Sequence, residues 1–306
     1  MMFVIFAYRG FWGEIATISR VHILLVAVIA SIVFGWLMGG DYLWAAAFFC
    51  GLDWFLINLL NRVTDVDEDT RNNIAGTGYI ARHKTGFVGL GFGLMLTSFV
   101  VNLFWFRELV LWRLLVQAIG MGYNYRIVWT PRGWSRFKEL YFAKNFGSSV
   151  LFVLTCFVYP LVLLGYDPQV PFSYIAVLVL FFVPFELTYE ILYDVRDLDG
   201  DRAAGVPTYP VVHGLKTTRH ILDGLLAGSA LVLVVGVAAG VIGIREGLMI
   251  VAPTVQWGFY RRRWGQSLTS SDCVLLTHVG SAQLVIFLLG TALWEWVGFP
   301  ANIFLG

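Results

Sequence analysis

Asn61-Arg62-Val63-Thr64-Asp65-Val66-Asp67-Glu68-Asp69 and Tyr193-Asp194-Val195-Arg196-Asp197-Leu198-Asp199-Gly200-Asp201 decide how this chain is read. Each follows a run of roughly 20 mostly apolar residues, the length a helix needs to cross a bilayer core of about 30 Å. Both stretches therefore sit where a membrane span ends. Together they hold eight of the chain's 20 acidic residues. Such a density of like charge repels itself unless cations lie among the carboxylates.

The rest of the composition agrees. Hydrophobic residues make up 58% of the chain and charged residues only 13%, with a mean hydropathy of +0.74. A soluble domain carries about 25% charged residues, so a polytopic, all-α membrane protein is expected. A net charge of +1 and the absence of a basic stripe give no reason to expect nucleic acid as a partner. Cys50, Cys156 and Cys273 lie in or beside apolar runs without metal-ligand spacing and read as packing residues.

Apolar spans are expected at 17–39, 42–64, 86–105, 109–125, 141–164, 171–193, 219–243, 246–260 and 273–297. Residues 1–16, with Phe3, Phe6, Phe11 and Trp12 beside Arg9 and Glu14, suit a segment lying along the headgroups. No linker or soluble domain interrupts the chain, so residues 1–306 read as one transmembrane domain. Of the 21 Lys and Arg residues, all but Arg107, Arg113 and Arg245 fall on the side that carries the acidic stretches. Basic residues collect in cytoplasmic loops, which puts the polar site and the amino terminus inside and the carboxyl terminus outside. The acidic stretches recur in the two halves of the chain, each at the end of an even-numbered span. Two pseudo-repeated bundles would bring them face to face across a central cavity.

Spacing within each stretch carries the chemistry. Asn58, Asn61, Asp65 and Asp69 step by three or four residues, as do Glu186, Glu190, Asp194, Asp197 and Asp201, so each set stacks on one helix face. Ionisable groups at membrane depth face a cavity, pair with each other or bind metal. The Asp-x-Asp-x-Asp runs are not EF-hands, since Thr70 or Arg202 replaces the sixth-position glycine and Gly76 or Thr208 the final glutamate. Oxygen ligands without a dedicated cage suit Mg²⁺, which binds through a few carboxylates and substrate phosphates. Two facing clusters point to two ions with a diphosphate between them. The loop after the fourth span supplies Arg126, Arg132, Arg136, Lys138 and Lys144, of which Lys138 and Lys144 are best placed to turn into the cavity.

These residues resemble the UbiA superfamily of intramembrane prenyltransferases. Asn61-x-x-x-Asp65-x-x-x-Asp69 is similar to its first signature, and Asp197-x-x-x-Asp201-x-x-x-Gly205 to its second. The resemblance implies a ring of nine helices around a cavity open to lipid. It also implies that Asn61, Asp65, Asp69, Asp197 and Asp201 hold two Mg²⁺ ions on a prenyl diphosphate, with Arg136, Lys138 and Lys144 on its phosphates. Metals and basic side chains would neutralise the departing diphosphate, and an apolar, aromatic cavity would shield the allylic cation. Asp194 or Glu190 would take the acceptor's proton. The expected acceptor is small and aromatic, a quinone-precursor type. A terpene cyclase or a carotenoid-extending enzyme on the same fold is the alternative, and a cation-coupled transporter a more distant one. The chain departs from the family pattern at Arg62, where aspartate is frequent, and lacks the Arg-Pro element after the first signature; Arg71, Arg82 and Lys84 are the candidates to compensate.

Other features read as structural. Gly89, Gly91 and Gly93 suggest close helix packing, His213 a loop role, and Arg261-Arg262-Arg263 an interfacial anchor. His22 and His278 show no ligand partners at useful spacing. Asp53 either lines the acceptor pocket or bonds to a neighbouring span.

Overall fold

A computed structural model describes residues 18–71, 74–131, 133–264 and 268–299. The expected headgroup segment and Arg132 lie outside these residues. In chain order the main helices are α1 (Val21–Gly39), α2 (Trp44–Thr64), α3 (Lys84–Trp105), α4 (Val110–Asn124), α5 (Tyr141–Leu163), α6 (Phe172–Arg196), α7 (Tyr209–Ala238), α8 (Val251–Arg263) and α9 (Ser270–Trp296). Among the described residues, seven of these are long and apolar enough to cross a membrane. The other two fall where spans were expected but are shorter. Helix α4 has 15 residues and α8 has 13, the latter extended at its start by the helical turns Ile244–Gly247 and Leu248–Ile250. The protein is an all-α, integral multi-pass membrane protein.

Neighbouring helices pack in sequence around a ring that closes where α9 meets α1. Lipid gives helices no hydrophobic reason to associate, so close backbone approach and interhelical hydrogen bonds must hold them. Helix α1 is built for this. A Cβ added to Gly39 would stand 2.8 Å from Leu164 Cδ2, and one on Gly35 would stand 3.4 Å from Pro160. Ser31 Oγ donates to the Thr155 carbonyl at 3.4 Å, and the Cys50 and Cys156 thiols both point at the Ala27 carbonyl at 3.5 and 3.6 Å. The three cysteines are buried and unbridged. Of the glycine triplet in α3, only Gly91 packs closely, against Leu59 and Leu60; Gly89 and Gly93 meet nothing, so close packing holds at one position of three.

Asp53 bonds internally. It is fully buried, and its oxygens accept from Arg113 Nη2 (2.6 Å) and Nε (2.9 Å), Gln117 Nε2 (2.7 Å) and Tyr159 OH (2.8 Å). Arg113 itself turns inward rather than toward the outer surface, with its guanidinium over the rings of Phe49 and Phe99. One satisfied polar knot thus ties α2 to α4 and α5.

Candidate active site

The two signature helices end alike. Helix α2 stops at Asp65 and α6 at Asp197; each backbone N–H closes back four residues, onto the Asn61 and Tyr193 carbonyls. A short helix restarts at once in both places, Val66–Arg71 and Leu198–Ala204. Asp69 N–H then bonds to the Asp65 carbonyl at 2.8 Å, and Asp201 N–H to the Asp197 carbonyl at 2.9 Å. The second short helix ends at Gly205, whose φ of 69° only glycine adopts without strain, which accounts for glycine closing that signature. The two short helices pack against each other, so both signatures face one space.

That space is a cavity of about 720 Å³. Asn58, Asn61, Asp65 and Asp69 line it from the first stretch, and Glu186, Glu190, Asp194, Asp197 and Asp201 from the second. Every member of both ladders reaches the same cavity. Lys138 and Lys144 also line it, whereas Arg136 reaches Asp65 from behind. A hairpin of β1 (Val128–Thr130) and β2 (Gly133–Ser135) leads from α4 to these cations. Arg71, Arg82 and Lys84 are exposed and do not line the cavity.

Most of these carboxylates already hold a cation. Asp65 is bound by Arg136 (3.0 Å) and Lys138 (2.9 Å), and Lys138 also reaches Glu68 (2.6 Å). Lys144 Nζ meets Asp194 at 2.7 Å, Arg196 pairs with Asp197, and Arg62 pairs with Asp69. Among the described residues no three His, Cys, Asp or Glu side chains converge closely enough to enclose a metal. The donor set nonetheless suits a hard divalent ion, since it is all oxygen. Among the described residues Asp201 Oδ2 is buried without any hydrogen-bond donor, and burial, with Asp194 beside it, pushes that carboxyl up to about 7. A cation there would relieve both the burial and the repulsion. Burial likewise raises the Asp69 carboxyl despite the nearby Arg20 and Arg62.

Away from the acids the cavity becomes aromatic. Trp54, Phe152 and Phe182 line it as a packed set, with Trp54 and Phe152 rings 4.4 Å apart and Phe152 and Phe182 5.8 Å apart. Trp54 Nε1 donates to Thr155 Oγ1 at 3.1 Å, inside the π-helical turn Leu154–Val158 of α5. Such turns recur at functional sites because they re-aim side chains. Sequence reasoning named none of these rings, though they continue the ladders: Trp54 lies four residues before Asn58, and Phe182 four before Glu186. It also missed Ser148 and Ser149, which both donate to Glu186, and Arg20 and Arg196 in the cavity wall. His22 lines the cavity too, stacked on Tyr193 with ring centroids 6.4 Å apart. His213 lies in α7 and bonds Tyr141 OH at 2.7 Å, and Arg261 ties α8 to Asp223 of α7 at 2.6 Å.

Comparison with known proteins accords with this geometry. A curated digeranylgeranylglyceryl phosphate synthase from Haloquadratum walsbyi is 37% identical over 57 residues, 19% of this chain and 20% of the relative. The match thus spans about a fifth of that relative's length. A UbiA homolog from Archaeoglobus fulgidus, solved with DMAPP and Mg²⁺, superposes with a TM-score of 0.64 at 16% identity, covering 90% of this chain and 97% of the homolog. The same homolog solved with GPP and Mg²⁺ gives 0.64 at 14% identity, covering 90% and 98%. These structural likenesses establish the fold. The UbiA prenyltransferase family matches residues 24–278, and the chain belongs to that family.

Proposed function

We propose that this enzyme transfers a prenyl group from a prenyl diphosphate to a small aromatic, quinone-precursor-like acceptor within the membrane. One observation carries the reading: a single cavity with carboxylates, Lys138 and Lys144 at one end and the rings of Trp54, Phe152 and Phe182 at the other. A prenyl diphosphate is polar and apolar in the same order. Two Mg²⁺ ions, with oxygen ligands drawn from Asn61, Asp65, Asp69, Asp197 and Asp201, would neutralise the departing diphosphate.

The protein's own groups do the remainder. Lys138, Lys144 and Arg136 offer charge-assisted hydrogen bonds to phosphate oxygens as they exchange away from Asp65, Glu68 and Asp194. The aromatic end excludes water and turns ring faces to an allylic cation. Of the two expected proton acceptors, Asp194 is held by Lys144. Glu190 has no hydrogen-bond or ion-pair partner among the described residues and is the better placed base. The excess of Lys and Arg on the carboxylate side supports a cytoplasmic site, with the amino terminus inside and the carboxyl terminus outside. A glycerol-phosphate-type acceptor is a second reading, favoured by the name of the Haloquadratum relative.

The test is purified protein with Mg²⁺, prenyl diphosphates of increasing length and separate phenolic and polyol-phosphate acceptors, following diphosphate release and product mass. Release that requires a phenolic acceptor, with the matching mass gain, supports the reading. Release without acceptor would reassign the protein as a cyclase, and release only with a polyol phosphate would select the second reading.

A further inference from the structure

Arg62 is the only basic residue inside the first signature, and it is wholly buried. Its Nη1 donates to the Asp69 carboxylate and lies 3.4 Å from Thr77 Oγ1, while Nη2 donates to the Ala75 carbonyl at 2.6 Å. The chain folds directly over this guanidinium. Gly76 has a φ of 81°, and a Cβ there would stand 3.6 Å from Arg62 Nη2 and 2.9 Å from Ile18. Position 76 therefore takes glycine for two reasons, the left-handed backbone and the close approach.

The pairing differs in kind from that of Asp65. The cations on Asp65, Arg136 and Lys138, come from the loop after α4 rather than from α2 itself, and Arg136 remains 22% exposed, so substrate phosphates can draw them off. Arg62 comes from the same helix as the signature and is sealed beneath residues 74–77. Among the described residues Asp69 is its carboxylate partner. Separating it from Asp69 would leave the Arg62 charge buried and uncompensated.

We propose that Arg62 and Asp69 form a permanent neutral pair that positions loop 74–77 against α2 and withholds Asp69 from the metal. Asn61 and Asp65 then remain as the ligands of the first signature. This rests on the metal reading of the site and narrows its ligand set by one. Arg62 is a positioning residue in this account. Because the pair is neutral, removing both members leaves the charge facing the metal unchanged, whereas removing either alone shifts it.

The experiment titrates the full-length purified protein with Mn²⁺ in the presence of inorganic diphosphate, read by calorimetry or by the Mn²⁺ electron-spin signal. Asp65→Asn should weaken Mn²⁺ binding by about tenfold or more, the loss expected for one contact to a charged group. The double variant Arg62→Gln/Asp69→Asn should stay within about threefold of the parent, a difference under 1 kcal/mol. The single variants should move in opposite directions, Arg62→Gln tighter and Asp69→Asn weaker. A double variant as weak as Asp65→Asn would make Asp69 a ligand and overturn the proposal. Asp65→Asn binding like the parent would sink the metal reading, and this inference with it. Arg62→Lys keeps the charge pair but gives up the fork to Ala75 and Thr77. It should leave Mn²⁺ affinity unchanged and speed amide exchange at 74–77; unchanged exchange would contradict the positioning role.

Discussion

Replacing Arg113 by Met is the sharpest test of how the helix ring is held. Asp53 and Arg113 are both fully buried and share two hydrogen bonds, at 2.6 and 2.9 Å. Without the guanidinium, the Asp53 carboxylate keeps, among the described residues, Gln117 and Tyr159 as donors. Breaking a buried pair from one side costs about 3–5 kcal/mol, because the remaining charge stays buried and uncompensated. At about 2–4 °C per kcal/mol, the scale for domains of a few hundred residues, melting should fall by roughly 6–20 °C. Cys50, Cys156 and Cys273 are all buried, so a thiol-reactive dye reports unfolding in detergent without added labels. The double variant Asp53→Leu/Arg113→Met should recover most of the loss, since apolar replacements of a buried pair are often neutral or better. Arg113→Met melting within about 2 °C of the parent, below the shift expected from even 1 kcal/mol, would refute this reasoning. A raised acceptor KM without a melting shift would instead put Asp53 in the acceptor pocket.

Asp65→Ala and Asp197→Ala should each abolish turnover while the protein still melts cooperatively; retained activity in both would remove the signatures from the chemistry. Lys138→Met should raise KM for the prenyl diphosphate by about tenfold or more, the loss of one contact between charged groups, and an unchanged KM and kcat would take Lys138 out of the site. Chelation of divalent metal should stop product formation and Mg²⁺ should restore it; activity that persists in chelator would contradict the metal assignment. Trp54→Ala should slow turnover of a long prenyl diphosphate more than that of a short one, measured as the ratio of kcat/KM, and an equal effect would exclude Trp54 from the prenyl end.

The ladders were legible because membrane depth makes a carboxylate expensive, so its spacing along a helix reveals which face is polar. All nine ladder positions reach one cavity, and the same periodicity, carried one turn further, finds Trp54 and Phe182. Those rings stayed hidden because aromatic residues make up 16% of the chain and are spread over core, lipid-facing and interfacial positions, which swamps the signal. The spans expected at 109–125 and 246–260 lie close to α4 and α8, because hydropathy marks an apolar run even where it is too short to cross a membrane. Arg62 stood out in the sequence as a departure, but its partner could not be read there. Asp69 is seven residues on, and only the break at Asp65 and the fold of residues 74–77 over the guanidinium bring the pair together. Asp53 had two readings from sequence because its partners, Arg113, Gln117 and Tyr159, come from two other helices.

The most direct measurement is an experimental structure of the protein with Mn²⁺ and an unreactive prenyl thiodiphosphate, using the anomalous signal to locate the metal. Mn²⁺ should contact Asp65 and either Asp197 or Asp201, with the diphosphate beside Lys138 and the prenyl chain running toward Trp54 and Phe182. A diphosphate bound outside this cavity, or metal held away from both signatures, would contradict this placement.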